Sequence, residues 1–228
     1  MELVNIEIAD KIAKITLNNG KVNAFSHQLI EELNTALDQA EEAKAVVIIT
    51  GQPGILSAGY DLKTMQKSMT DAMALVTQGS KLTRRIASFP FPIIAACPGH
   101  AIAKGAFLLL CCDYRIGVEG SFKIGLNEVA IGMTMHQAGI EMARNRIPIN
   151  YLNRAVINAE MFDPAGAVLA GFLDKTVAPE NLMAEAEAVA VQMKTLNMRA
   201  HHATKLKVRK AELEIMDAAI EVDSTGSL

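Results

Sequence analysis

The chain contains no tryptophan, and aromatic residues make up only 4% of its 228 positions. That excludes the stacking platforms on which single-stranded nucleic acid and sugar rings are usually held. Net charge is also small, at −3. With no global field to draw in nucleic acid or an anionic membrane, any anionic ligand must be held by local cations. Three cysteines, Cys97, Cys111 and Cys112, sit in or beside apolar runs. An odd number in that setting argues against a disulfide framework and for a reducing compartment. No metal-ligand spacing includes them, and apolar surroundings normally leave a thiol inert. No apolar run approaches the ~20 residues of a membrane span, and the start, MELVNIEIAD, reads as neither a signal peptide nor an Arg-rich presequence. Internal repeats, low-complexity tracts and Pro/Gly/Ser linkers are likewise missing. The expectation is a cytoplasmic protein of one domain, 1–228, without nucleic-acid or membrane partners.

What the chain does have is aliphatic α/β patterning. Residues 2–8 and 11–18 alternate around Asp10-Lys11, as an antiparallel hairpin does, and Asn18-Asn19-Gly20 closes them with a turn. Ser26 reads as a helix N-cap ahead of Leu29, Ile30, Leu33, Leu37 and Ala40 at helical spacing. Ala45 to Thr50 reads as a short strand buried on both faces, and Ile93 to Cys97 as a strand-like apolar run. An amphipathic helix is expected over 71–88, with Met73, Leu75, Val76, Leu82 and Ile86 inward. After Glu128 the pattern is mostly helical: 136–144, 151–157, 165–170, 180–196 and one last helix over 200–220, with a strand at 173–177 between them. The predicted class is α/β, with a core to about residue 177 and a helical region over 178–228.

Two loops have the makings of anion sites. In Ser57-Ala58-Gly59-Tyr60-Asp61-Leu62, small residues allow close backbone approach, and Asp61 stands where a helix begins. In Gly99-His100-Ala101-Ile102-Ala103-Lys104-Gly105, a turn feeds the short apolar helix Phe107 to Cys112. Helix starts leave backbone N–H groups unpaired, and two of them aimed at one point stabilise an oxyanion by several kcal/mol. Glu128, a lone carboxylate between apolar runs, is a candidate base. Together these features point to proton chemistry on a carbonyl compound.

The segments IITGQPGILSAGYDLKTM (48–65) and PIIAACPGHAIAKGAFLLLCCDYRIG (92–117) resemble the AGxDL motif and the glycine-rich turn with its CD-terminated helix of the enoyl-CoA hydratase/isomerase (crotonase) family. VNAFSHQLIEEL (22–33) resembles the family's segment beside the CoA adenine, and ATKLKVRKAELE (203–214) its final helix. The resemblance implies a crotonase-like spiral core of ββα units with a helical C-terminal region. It also implies an acyl-CoA thioester substrate, no separate cofactor or metal, and assembly as a homotrimer or hexamer. It places the oxyanion donors at the backbone N–H groups of Tyr60 and Lys104, with Gly105 adjoining. Lys21, Asn23, Ala58, Gly59, Asp61 and Phe107 fall at substrate-binding positions. For the CoA phosphates, Lys21, Lys63, Lys205, Lys207 and Lys210 are candidates, and Met65, Met69 and Met73 for lining an acyl channel.

Two departures narrow the chemistry. Where the family usually carries three glycines, this chain has Ala103-Lys104-Gly105, so the Lys104 side chain must leave the pocket or reach toward CoA. Hydratases of the family use two glutamates, and at the first of these positions this chain has Phe107. The second is kept as Glu128, in a Gly125-Leu126-Asn127-Glu128 segment resembling that of Δ3,Δ2-enoyl-CoA isomerases, which use a single Glu. His136, eight residues on, is a further acid/base candidate. The expectation is Δ3 to Δ2 double-bond isomerisation by Glu128. The alternatives are hydration using Glu128 with His136, or an acyl-CoA binder that has lost its chemistry.

Overall fold

In the computed structural model, residues 2–224 are described. Strands β1 (Val4–Ala9) and β2 (Ile12–Leu17) form the expected hairpin, with Val4 opposite Leu17 and Ala9 opposite Ile12. Asp10 and Lys11 both take positive φ, 47° and 58°, the mirror-image turn that matches strand twist. Helix α1 (His27–Glu42) starts at Ser26, whose Oγ accepts from the Leu29 N–H at 3.2 Å. Then follow β3 (Val46–Thr50), β4 (Gly54–Ser57), α2 (Leu62–Lys67) and α3 (Met69–Ser88). A second unit comprises β5 (Ile93–Cys97), β6 (Gly99–Ile102) and α4 (Lys104–Cys111), and a third β7 (Tyr114–Val118), β8 (Ile124–Gly125) and α5 (Gln137–Arg146). The chain continues through α6 (Ile149–Leu152), a π-helical turn, α7 (Pro164–Leu169), β9 (Lys175–Val177), α8 (Leu182–Lys194), α9 (Met198–Val208) and α10 (Lys210–Ser224).

The strands sort into two sheets by a simple rule. The first strand of each ββα unit joins a larger sheet of order β1-β2-β3-β5-β7-β9, and the second joins a small parallel sheet of order β4-β6-β8. Each unit advances both sheets by one strand, and this is the spiral. In the larger sheet, alternate residues serve two cores. Val47, Ile49, Ile93 and Ala95 face the main core with α1, α3 and α4, while Val46, Ile48, Ile94 and Ala96 pack against Leu182, Ala186 and Ala190 of α8. Covering both faces is what parallel strands require, and it explains their unbroken apolar runs.

The last expected helix is two helices. The break falls at Arg209, whose guanidinium turns inward to Asp113 (2.9 Å) and the Ala87 carbonyl (2.6 Å). Lys205 is buried beside it, donating to the Phe89 and Phe91 carbonyls and to Asp113 at 2.6 Å. Asp113 in turn accepts from the Ile93 N–H at 2.8 Å. This polar knot fastens the C-terminal helices to the head of β5. No helix among the described residues is long and apolar enough to cross a membrane.

Candidate active site

The small sheet brings the motifs together. Its strands are parallel, with Ser57 beside Ala101 and Ala101 beside Ile124. Tyr60, Lys104 and Glu128 follow those residues by three, three and four positions, so all three leave the sheet at the same edge. Segments distant in sequence meet there because each is the C-terminal exit of one spiral turn, the end of a parallel sheet where ligands bind.

On the first loop, the Gly59 carbonyl accepts from the Phe25 N–H (2.8 Å) and the Asp61 N–H donates to the Phe25 carbonyl (3.0 Å). Alternate groups of an extended chain point in opposite directions, so the intervening Tyr60 N–H faces away from Phe25. The Gly59 N–H is occupied by Ser57 Oγ at 3.1 Å. On the second loop, the Ala103 N–H reaches the Gly125 carbonyl at 2.9 Å and α4 begins at the next residue. Neither the Tyr60 nor the Lys104 N–H meets an acceptor among the described residues. The loops are side by side: a Cβ built on Gly59 would lie 3.2 Å from Ala103 Cβ and 3.9 Å from the Lys104 nitrogen. Gly105 is held close too, since a Cβ there would come within 2.4 Å of the Ser57 carbonyl oxygen. Two unpaired donors at neighbouring strand ends, one of them heading a helix, are an arrangement able to stabilise a developing oxyanion.

Glu128 is only 8% exposed, and its Oε2 has no hydrogen-bond partner among the described residues. Burial pushes its carboxyl up to about 7. It lies near enough to Tyr60 that its charge, after burial itself, opposes ionisation of that phenol. Tyr60 is half-buried, with its hydroxyl donating to the Val76 carbonyl at 3.4 Å.

His136 and Phe107 are brought together, ring centroids 5.3 Å apart and edge to face. Burial holds the imidazole down to about 4, so at neutral pH it is the uncharged form. His136 caps α5, whose first N–H groups at Gln137 and Ala138 each donate to Asp223 of α10 at 3.0 Å. Nothing in the residue pattern flags Asp223, because its role depends on where the last helix docks. Cys97 is buried and pushed up to about 12, an inert thiol.

Several expected substrate contacts have other partners. The Asn23 side chain is buried, accepting from the Asn19 N–H (2.6 Å) and Gln52 (3.1 Å) and donating to the Leu17 carbonyl (3.0 Å), so it pins a loop. The Asp61 carboxylate caps α2, accepting from the Thr64 N–H (3.0 Å) and hydroxyl (2.8 Å). Lys205 belongs to the polar knot around Asp113 and is not free to bind phosphate. The Lys104 side chain does not reach toward CoA: it runs into the core and donates to the Gly79 carbonyl at 2.5 Å. Ala58 and Lys21 are exposed and adjacent, linked by the Ala58 N–H to the Val22 carbonyl at 2.9 Å. Lys63, Lys207 and Lys210 are exposed, the last 3.8 Å from Glu214. Of the methionines, Met69 is exposed and Met65 and Met73 are half-buried.

The family model described as enoyl-CoA hydratase/isomerase matches residues 7–225. The chain belongs to the enoyl-CoA hydratase/isomerase family. A crystal structure of a family member from Pseudomonas syringae superposes with a TM-score of 0.98 at 63% identity, covering 99% of this chain and 98% of that one. A probable enoyl-CoA hydratase of Bacillus subtilis is 37% identical over 145 residues, which is 62% of this chain and 56% of that protein. Mouse mitochondrial enoyl-CoA delta isomerase 1 is 29% identical over 97% of this chain and 78% of that protein. The family's relatives thus carry both reaction names, and the site itself has to discriminate between them.

Proposed function

We propose that this enzyme moves the double bond of a 3-enoyl-CoA thioester to give the 2-enoyl-CoA, with Glu128 as the single proton shuttle. One observation carries the reading: Glu128 is the carboxylate at the shared strand edge with a buried, unpartnered oxygen, while Phe107 fills the position where a second acid would be needed. Asp61, the other acid nearby, is consumed as a cap.

The thioester oxygen sits between the N–H groups of Tyr60 and Lys104. Their pull acidifies C2 and stabilises the dienolate formed when Glu128 takes the C2 proton. The same carboxyl, now protonated, returns a proton to C4, and the double bond ends conjugated with the carbonyl. A carboxyl near 7 suits both halves, being ionised often enough to accept and acidic enough to donate. Phe107 holds no water at this wall. Coenzyme A arrives as part of the substrate, and the cycle uses no separate cofactor. Lys21, Lys63 and Lys207 are the exposed candidate cations left to meet its phosphates.

The competing reading is water addition to 2-enoyl-CoA by Glu128 with His136. Contact between His136 and Phe107 keeps it in view, but an imidazole that protonates only near 4 is a poor acid at neutral pH. Paired 2-enoyl and 3-enoyl thioesters of several lengths, with product identification, decide the matter. Conversion of 3-enoyl to 2-enoyl, lowered by about 10²–10⁴-fold in Glu128→Gln, is the expected result. Faster hydration than isomerisation, or near wild-type turnover in that variant, refutes it. The protein acts in the cytoplasm as a homotrimer or hexamer. Exposed Ile149, Ile157 and Leu169, with an open apolar cavity of about 460 Å³ lined by Val129, Met133 and Ile157, are the surface such assembly would cover.

A further inference from the structure

Lys104 is only 1% exposed and ranks among the largest fully buried side chains, although lysine is seldom fully buried. Glycine would fit this backbone position at no desolvation cost, so the buried cation calls for a reason of its own. Its ammonium donates to the Gly79 carbonyl of α3 at 2.5 Å and lies 5.8 Å from the ring centroids of both Phe25 and Tyr60. Gly79 is also where the Tyr60 phenol lands, since a Cβ there would come within 2.1 Å of the Tyr60 hydroxyl oxygen. Phe25, for its part, grips both backbone neighbours of Tyr60. The two donor residues of the oxyanion pocket therefore share one anchor inside the protein.

We propose that Lys104 is a positioning residue, its ammonium bracing its own backbone N–H and that of Tyr60 against the Gly79 turn of α3 and placing positive charge behind the oxyanion pocket. The inference rests on the oxyanion reading above. Titratable groups facing the ammonium are Tyr60 from the first loop, Cys111 from the same helix and His136 at the head of α5. Burial brings the ammonium down to about 7, only slightly offset by Cys111. The brace is charged on the acid side of that value and neutral above it. It adds an alkaline limb to turnover, whereas Glu128 sets the acid limb.

The test compares pH profiles of 3-enoyl thioester isomerisation for wild type, Lys104→Met, Lys104→Gln and Gly79→Ala, with circular dichroism as the check on folding. Lys104→Met is expected to lower kcat about tenfold to a hundredfold, leave KM within about threefold, and abolish the alkaline limb while keeping the acid limb. Lys104→Gln retains a donor for Gly79 without the charge; it should lose the alkaline limb with a smaller fall in kcat, and it carries the test if Lys104→Met does not fold. Gly79→Ala, which displaces the Tyr60 phenol, should lower kcat and keep the alkaline limb. A Lys104→Met kcat within twofold of wild type overturns the proposal, as does a lowered kcat with the wild-type alkaline limb intact. Wild type that isomerises no enoyl thioester would instead overturn the underlying reading.

Discussion

Replacing Glu128 by Gln should make the protein more stable while destroying its activity, and the gain should depend on pH. In the unfolded chain Glu128 releases its proton near 4.5, and in the folded protein it holds it until about 7. Below 4.5 both states are protonated and the burial of the side chain costs nothing electrostatic. Between those values the folded state binds the extra proton, so stability falls as pH rises. Above 7 both states are ionised and the folded state bears the whole penalty. At about 1.4 kcal/mol for each tenfold change in proton affinity, the rise amounts to about 3 kcal/mol. With Glu128 only 8% exposed, solvent screening takes little from that figure. The glutamine amide brings unpaired donors of its own, costing about 1 kcal/mol at every pH. Glu128→Gln should therefore be about 2 kcal/mol more stable than wild type at pH 8 and about 1 kcal/mol less stable at pH 4. Urea unfolding at fixed protein concentration, followed by circular dichroism at pH 4, 6 and 8, measures the difference directly. A gain that does not change with pH, or a loss at pH 8, would refute the assignment of Glu128 as a desolvated carboxyl.

Two further outcomes follow from the same structure. Ala103 sits at φ 51° and ψ −115° between β6 and α4, a conformation that costs a residue with a Cβ about 1–3 kcal/mol; Ala103→Gly should raise stability by about 1 kcal/mol after its extra unfolded-state freedom is counted, and a lower thermal midpoint would contradict the strain. Light scattering should find three or six copies, falling toward monomer when Ile157 is replaced by Asp; a wild-type monomer would remove the assembly proposal.

How much of this was legible beforehand depended on whether a feature was local. The hairpin at Asp10-Lys11, the Ser26 cap and the doubly buried strands β3 and β5 each carry their own signal within a few residues. The small sheet does not. Strands β4, β6 and β8 are short, rich in glycine and small residues, and read as loops because their strand character comes from pairing with one another. Strand β7 was hidden for a related reason, lying between an apolar helix and a glycine turn. The 200–220 pattern is helical throughout, and the one-residue break at Arg209, whose guanidinium meets Asp113 and Ala87, has no local signal. At the site, the residue types behind Tyr60, Lys104 and Glu128 are visible in the sequence, but their meeting is a product of the spiral. Asn23, Asp61 and Lys205 look like ligand residues by type, and only their hydrogen-bond partners show them committed elsewhere.

Phe107 and the burial of Glu128 act in the same direction. A hydratase needs a second acid and an ordered water, both of which bring polar partners into the site, and polar partners stabilise an ionised carboxylate. Here one of those positions is phenylalanine packed against an uncharged histidine, and Glu128 Oε2 meets no protein donor. The carboxyl is left hungry for a proton, which is the property a shuttle between C2 and C4 requires. Burial raises its proton affinity, and no protein donor stands at Oε2 to order an attacking water. Under this reading one feature of the site favours isomerisation and disfavours hydration together, and restoring an acid at position 107 should relax both at once.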